Sequence, residues 1–539
     1  MDLDDILPEI GEYGRYQKSI LWLVLLPGVF PCGFHAYNQL FMAATPEHWC
    51  KVPELKQIQS EESRNLSVPL ELVNGVLKYS ECKMYDRNYT DISLTIQDFD
   101  YDNDTVQIDC KNGWIFDKSL YKQTVVMEWN LVCSKDFYPT LALVLFGIGG
   151  LIGNYIFGYI QDGFGRKPAF FSYLLIQCIF GIATAFAPNF WIWLTFRFGV
   201  GLTVPAILGT PYVLAIELVG PKYRTLVTIL INISYSLALV SLALVVWLVT
   251  EWRLLALVTT APFFVLFSFW CLLPESPRWL LAQSKFSAAD SVISKIAKIN
   301  GKPLPTNYIN LLKIKIAEEQ RKKSRSKKSY GISDLFRTPN LRWKTIIITF
   351  IWFTNTSVYV GLSYYAPALG GDAFLNFFLA AAVELPTYLF LWPAMENWGR
   401  RWCLCASMVI GGSACLSTFL VQHNSMVTLG LYCVGKMGIS SSYVVLPLMA
   451  SELYPTVVRG LGISVSTVIG MIGPVIIPLV NYLGSDMLTL PLIIMGTMLV
   501  LGGLSSLLLP ETLNQHLPQT LEDAEKTGLD CGLCFNVNQ

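Results

Sequence analysis

Long apolar blocks separated by short polar gaps run along nearly the whole chain. Each block is 18 residues or more, the length that carries a helix across about 30 Å of hydrocarbon. Twelve are found, near 19–44, 138–160, 168–188, 191–216, 226–250 and 253–273, then 344–367, 372–395, 402–422, 424–450, 461–484 and 487–509. In hydrocarbon a backbone N–H or C=O finds no water, so each block must satisfy its own groups as a helix. The pattern predicts an all-α membrane protein of twelve spans in two groups of six.

Two polar stretches interrupt the pattern. The first, 45–137, carries Cys50, Cys82, Cys110 and Cys133 and three acceptor sequons at Asn65, Asn88 and Asn103. Paired cysteines with sequons indicate an oxidising compartment, hence a large extracellular loop, disulfide-bonded and glycosylated. Four cysteines allow three pairings, and spacing does not choose among them. The second stretch, 274–342, contains EEQRKKSRSKKS and is strongly basic. Basic residues also follow the second, fourth, eighth and tenth blocks, so the positive-inside rule puts all of these, and both termini, in the cytosol. The expected organisation is a cytosolic segment 1–18, a first span 19–44, the loop 45–137, spans two to six over 138–273, the basic cytosolic loop 274–342, spans seven to twelve over 344–509, and a cytosolic tail 510–539. The acidic Asp2, Asp4 and Asp5 before the first block do not resemble a cleavable signal.

Composition agrees. Of 539 residues 53% are hydrophobic and 14% charged, well under the roughly 25% charged of soluble domains. The net charge of zero gives no field that would draw nucleic acid. No phosphate-binding Gly-Lys-Ser/Thr loop, HExxH or nucleophile elbow is present, so neither enzymatic chemistry nor a cofactor or metal is expected.

The polar gaps themselves repeat. DGFGRK at 162–167 returns as ENWGRR at 396–401, AIELVGPKYR at 215–224 as ASELYPTVVR at 450–459, and LLPESPRWL at 272–280 as LLPETLNQHL at 508–517. The offset is about 235 residues each time, the mark of two parallel six-helix halves. The charged members are Asp162, Arg166, Lys167, Glu217, Arg224, Glu275 and Arg278 in the first half, and Glu396, Arg400, Arg401, Glu452 and Arg459 in the second. Topology alone requires only the basic residues. The recurring acids and glycines suggest latches at the cytosolic helix ends that hold one closure state.

Twelve spans, a parallel repeat and these gaps resemble the major facilitator superfamily. PESPRWLL at 274–281 is similar to its sugar-porter and organic-ion branch. GEYGRYQK, ATPEHWC, MEWNLVC and SELYPTVVRGLG further resemble the organic cation, organic anion and carnitine (zwitterion) transporter family, over essentially the whole chain. The resemblance implies a plasma-membrane transporter of small organic cations or zwitterions working by alternating access, with coupling to sodium or a proton left open. An organic-anion or sugar-type porter, or a ligand sensor derived from a transporter, is the alternative. In the family's eleventh span many cation carriers have Asp and anion carriers Arg about a dozen residues after the Arg of YPTVVR; here Met471 stands there.

A site should lie at mid-bilayer between the halves, where ionisable residues are expensive and functional by default. Glu384 falls in the middle of the eighth span and Lys436 in the tenth; His35 and Asn38 lie in the first. Glu384 is the candidate for a cationic group, with Lys436 as an internal counter-ion. Trp352, Tyr359, Tyr364, Tyr365 and Tyr443 could supply aromatic faces for an ammonium.

Overall fold

The computed structural model describes residues 3–55, 60–73, 76–87, 89, 106–305, 307–325, 331–421, 424–455, 457–484, 489–513, 518 and 521–526. The sequons at Asn88 and Asn103 lie outside the described residues. Eleven helices are long and apolar enough to cross a membrane. In order these spans are 1 (Arg15–Met42), 2 (Cys133–Phe164), 3 (Arg166–Ala185), 4 (Phe190–Leu218), 5 (Pro221–Leu248), 6 (Trp252–Cys271), 7 (Pro339–Ala368), 8 (Ala373–Trp398), 9 (Arg400–Val421), 10 (Ser425–Leu453) and 11 (Arg459–Leu483). A shorter apolar helix, Leu490–Ser506, is span 12.

Several spans are not straight, and proline explains where. Span 1 passes through a π turn at Leu21–Leu25 and a 3-10 turn at Pro27–Val29 before continuing. Span 8 breaks between Ala382 and Glu384. Pro386 follows, and it has no N–H to give the carbonyl four residues back. Span 11 breaks between Gly470 and Gly473, just before Pro474.

The halves pack alike. Span 1 lies on 5 as 7 lies on 11; 3 lies on 4 and 6 as 9 lies on 10 and 12. Small residues allow this closeness: a Cβ on Gly153 of span 2 would sit 1.8 Å from the Leu202 carbonyl oxygen of span 4. Between the halves, span 5 meets 8 and span 2 meets 11, one contact repeated under the twofold relation. The apolar core is shared unevenly. At the end carrying the loop it runs from Phe34, Trp193 and Trp252 of the first half into Tyr359 and Phe377 of the second. At the opposite end the first half keeps a core of its own, with Leu3, Ile6, Tyr173 and Ile293.

The loop between spans 1 and 2 folds as three two-stranded antiparallel sheets, His48–Cys50 with Trp114–Phe116, Leu70–Val73 with Val76–Tyr79, and Lys83–Tyr85 with Gln107–Asp109. Two disulfides staple it, Cys50–Cys110 and Cys82–Cys133, settling the pairing that spacing left open. Cys50 and Cys110 join Val52, Leu55, Met84 and Tyr89 in a small core. Asn65 is exposed on the helix Ser60–Ser67. The loop docks through Glu128: Oε1 accepts from Arg253 at 2.5 Å, and Oε2 from Trp252 Nε1 at 2.8 Å and Gln123 at 3.1 Å.

Candidate functional site

The break in span 8 places Glu384 at its centre, fully buried, facing both halves. Its Oε1 lies 3.2 Å from Nζ of Lys436, which is 1% exposed. Its Oε2 accepts from Ser236 of span 5 at 2.5 Å and from Tyr359 and Tyr388 at 3.3 Å each. Lys436 also donates to Ser363 Oγ at 2.6 Å, and its ammonium stands 3.7 Å from the centre of the Tyr359 ring. Taking two ions out of water costs several kcal/mol each, recovered only with close contact and hydrogen bonds to the remaining lone pairs and protons. Here Oε2 takes three hydroxyl donors, while Oε1 faces the ammonium as an ion pair. Chemically it is a carboxylate with an aromatic wall, already holding one primary ammonium.

The other predicted residues divide. Tyr443 packs at a tilt against Tyr359, ring centres 5.2 Å apart, and so borders the ring that faces Lys436. Tyr364 lies edge-on to Tyr37 of span 1 at 5.8 Å. Tyr365 is buried in the same span. Trp352 does not join an aromatic cage around Lys436. It packs where Gly470 of span 11 leaves room, since a Cβ there would approach its ring to 2.6 Å. His35 and Asn38 lie inside the first half: the His35 ring is 3.4 Å from Thr260 of span 6, and Asn38 bonds Thr259 and Arg197. Sequence reasoning missed Ser236, Ser363 and Tyr388. Tyr388 and Ser363 each follow a named candidate by four residues, one helical turn, and that spacing was the available signal. Ser236 gave none.

On the loop side of this site, aromatic rings from both halves close over it. Phe41 of span 1 meets Phe377 and Phe374 of span 8 at 5.2 and 6.0 Å, and Tyr121 from the loop meets Phe374 at 5.4 Å. Tyr37 reaches Phe377 at 5.8 Å.

At the opposite end the repeated motifs assemble within each half rather than between halves. Arg166 grips Glu217 through two bonds of 3.1 Å and Asp162 at 3.2 Å. Glu275 accepts from the backbone N–H groups of Arg166 at 2.9 Å and Lys167 at 3.2 Å, capping span 3. In the second half Arg400 lies 3.4 Å from Glu452, and Glu511 caps span 9 through the N–H groups of Arg400 and Arg401 at 2.9 and 3.1 Å. Gly165 and Gly399, at φ 110° and 86°, make the turn that presents these N–H groups. Although Glu217 and Arg224 share one motif, the Arg166 guanidinium on the adjacent helix takes both Glu217 oxygens. Arg224 and Arg278 instead share Asp4 of the N-terminal helix Leu3–Ile10. Likewise Glu396 accepts from Trp392 at 3.1 Å, and Arg459 donates to the Tyr454 carbonyl at 3.3 Å.

Two pseudo-equivalent six-helix halves with a charged site at mid-depth between them define a multi-pass membrane carrier. Residues 89–523 match the family described as Sugar (and other) transporter, and the chain belongs to it. It is 56% identical to a beta-alanine transporter of Drosophila melanogaster, over 100% of this chain and 91% of that protein. It is 34% identical to the human organic cation/carnitine transporter 2, over 97% and 93% of the two chains. The fold is that of the major facilitator superfamily: the proton:xylose symporter XylE superposes with a TM-score of 0.60 at 15% identity, over 95% of this chain and 99% of XylE.

Proposed function

We propose that the chain carries small organic cations or zwitterions bearing an amine across the plasma membrane by alternating access, with Glu384 as the group that reads the ammonium. The observation that carries this is the Lys436 ammonium, held 3.2 Å from the Glu384 carboxylate and against the Tyr359 ring. The site is thereby shaped for a primary ammonium, and Lys436 is the internal cation that a substrate replaces. Aromatic contact adds roughly 0.5–2 kcal/mol to such a cation, more in a dry site. Two relatives are named for beta-alanine, which carries a primary ammonium, and for organic cations and carnitine, a quaternary ammonium zwitterion, which supports a cationic nitrogen as the group read here. The basic connections argue for cytosolic termini, and the disulfides and exposed Asn65 for an extracellular loop. The test is initial-rate uptake of a labelled organic cation and of labelled carnitine by wild type and Glu384→Gln at matched surface expression. Loss of at least tenfold in the variant is expected. Uptake unchanged by the substitution would reduce Glu384 to a structural partner of Lys436.

A further inference from the structure

A second polar cluster lies wholly inside the first half, and its charges do not balance. Arg197 of span 4 is 1% exposed, two turns in from the loop end of its helix. Its Nε donates to Gln39 Oε1 at 3.0 Å, and Nη2 donates to Asn38 Oδ1 at 3.0 Å and the His35 carbonyl at 3.2 Å. All three acceptors are neutral. Among the described residues no carboxylate pairs with this guanidinium, and Nη1 makes no hydrogen bond. Lys436 and Glu384 face each other as a pair, so among the described residues Arg197 is a buried positive charge, nearer the loop end, with no acid beside it.

Around it the buried hydrogen-bonding inventory is also incomplete. Nε2 of Gln39, whose oxygen is the acceptor for Arg197, has no partner. Neither does Nδ1 of His35, nor either polar atom of Gln177 on the inward face of span 3. Gln39, His35 and Gln177 are all at least nine-tenths buried. Buried amides are normally satisfied, and a buried cation is normally met by an anion. The Gln39 amide N–H, on the side chain that already meets the guanidinium through its oxygen, is a buried donor without an acceptor next to a buried cation without an anion.

We propose that Arg197 and the Gln39 amide form a binding site for a small monovalent anion, separate from the Glu384 site. Its ligand is either an inorganic halide or the carboxylate of a small organic acid or zwitterion. Binding neutralises the spans and ties span 1 to span 4, which share no acid–base pair of their own. A neutral water in the same place would fill the hydrogen bonds but leave the charge.

The test uses the purified full-length protein, with thermal unfolding followed while chloride replaces sulfate, a divalent ion, at constant ionic strength, and separately while propanoate, which carries no ammonium for Glu384, does so. A saturable upward shift with chloride, lost in Arg197→Gln, assigns an inorganic anion. A shift with propanoate but not chloride assigns a carboxylate. In either case Gln39→Leu, which keeps the guanidinium, should weaken the half-saturating concentration about tenfold. No saturable shift with either chloride or propanoate overturns the site, as does a shift unchanged in Gln39→Leu. The wild-type titration gives its answer even if Arg197→Gln does not fold.

Discussion

Ser236 of span 5 donates a 2.5 Å hydrogen bond to Oε2 of Glu384 on span 8, so the carboxylate at mid-depth is held by both halves of the molecule. One oxygen therefore takes part in two events, the ordering of the charged site and the closing of the loop side above it. A hydrogen bond to an ionised group contributes about 1.5–3 kcal/mol. Ser236→Ala should shift the balance away from the loop-closed state by one to two orders of magnitude. The measurement is the rate at which an impermeant thiol reagent modifies a cysteine at Phe377 in the aromatic seal. Faster modification in Ser236→Ala is expected; an unchanged rate would mean that the aromatic contacts alone hold closure.

The capped turns at the opposite end make a prediction in duplicate. Glu275 and Glu511 each accept from two consecutive N–H groups at the start of a helix, where the helix dipole also favours a carboxylate. Gly165→Ala and Gly399→Ala would place a Cβ 2.4 and 2.6 Å from those carboxylates, on a backbone with positive φ. Each substitution should destabilise by about 1–3 kcal/mol, seen as a lower unfolding midpoint in detergent. The two glycines should behave alike, since the geometry is the same. A neutral result at either one contradicts the capping account for that half.

The twelve spans were readable because hydrocarbon leaves the backbone one solution, and their ends fell within a few residues of prolines, glycines and charges. The repeat was readable too, but only as a sequence echo. It set Glu217 and Arg224 in one motif, AIELVGPKYR, while the fold gives Glu217 to Arg166 and both Arg224 and Arg278 to Asp4. Asp4 stands 220 and 274 residues from these partners, a relation no local pattern carries. Glu511 stands in LLPETLNQHL, the weakest of the three echoes, and takes the capping place that Glu275 has in the first half. Glu384 and Lys436 stood out by their charge in apolar spans. Ser236 did not, since a serine in such a helix ordinarily bonds its own carbonyls.

MEWNLVC is a family signature with a mechanical reading. Glu128 takes Arg253, Trp252 and Gln123 on its two oxygens, and Trp129 packs on Trp252 and Phe190 at 5.5 and 6.3 Å. The loop thus rests on the start of span 6. Glu128→Ala removes the two bonds to span 6, and the one to Gln123 within the loop, and should cost about 2–3 kcal/mol of docking. Hydrogen exchange across 107–135 should accelerate accordingly, with spans 7–12 unaffected. Equal protection in wild type and variant would show that the aromatic contacts suffice.

The Glu384–Lys436 pair could serve structure, recognition or both, and neutralising both partners separates these roles. Removing one member strands the other charge in a dry site, at about 3–5 kcal/mol. Glu384→Gln and Lys436→Gln should therefore each lower the unfolding midpoint. The double variant leaves no bare ion, so much of that loss should return; replacing whole buried ion pairs is often close to neutral. Uptake should follow the opposite course. If the carboxylate reads the substrate ammonium, the double variant, though restored in stability, stays as inactive as Glu384→Gln. Recovery of uptake together with stability would make the pair a strut between spans 8 and 10, and recognition would have to lie with the tyrosines around it.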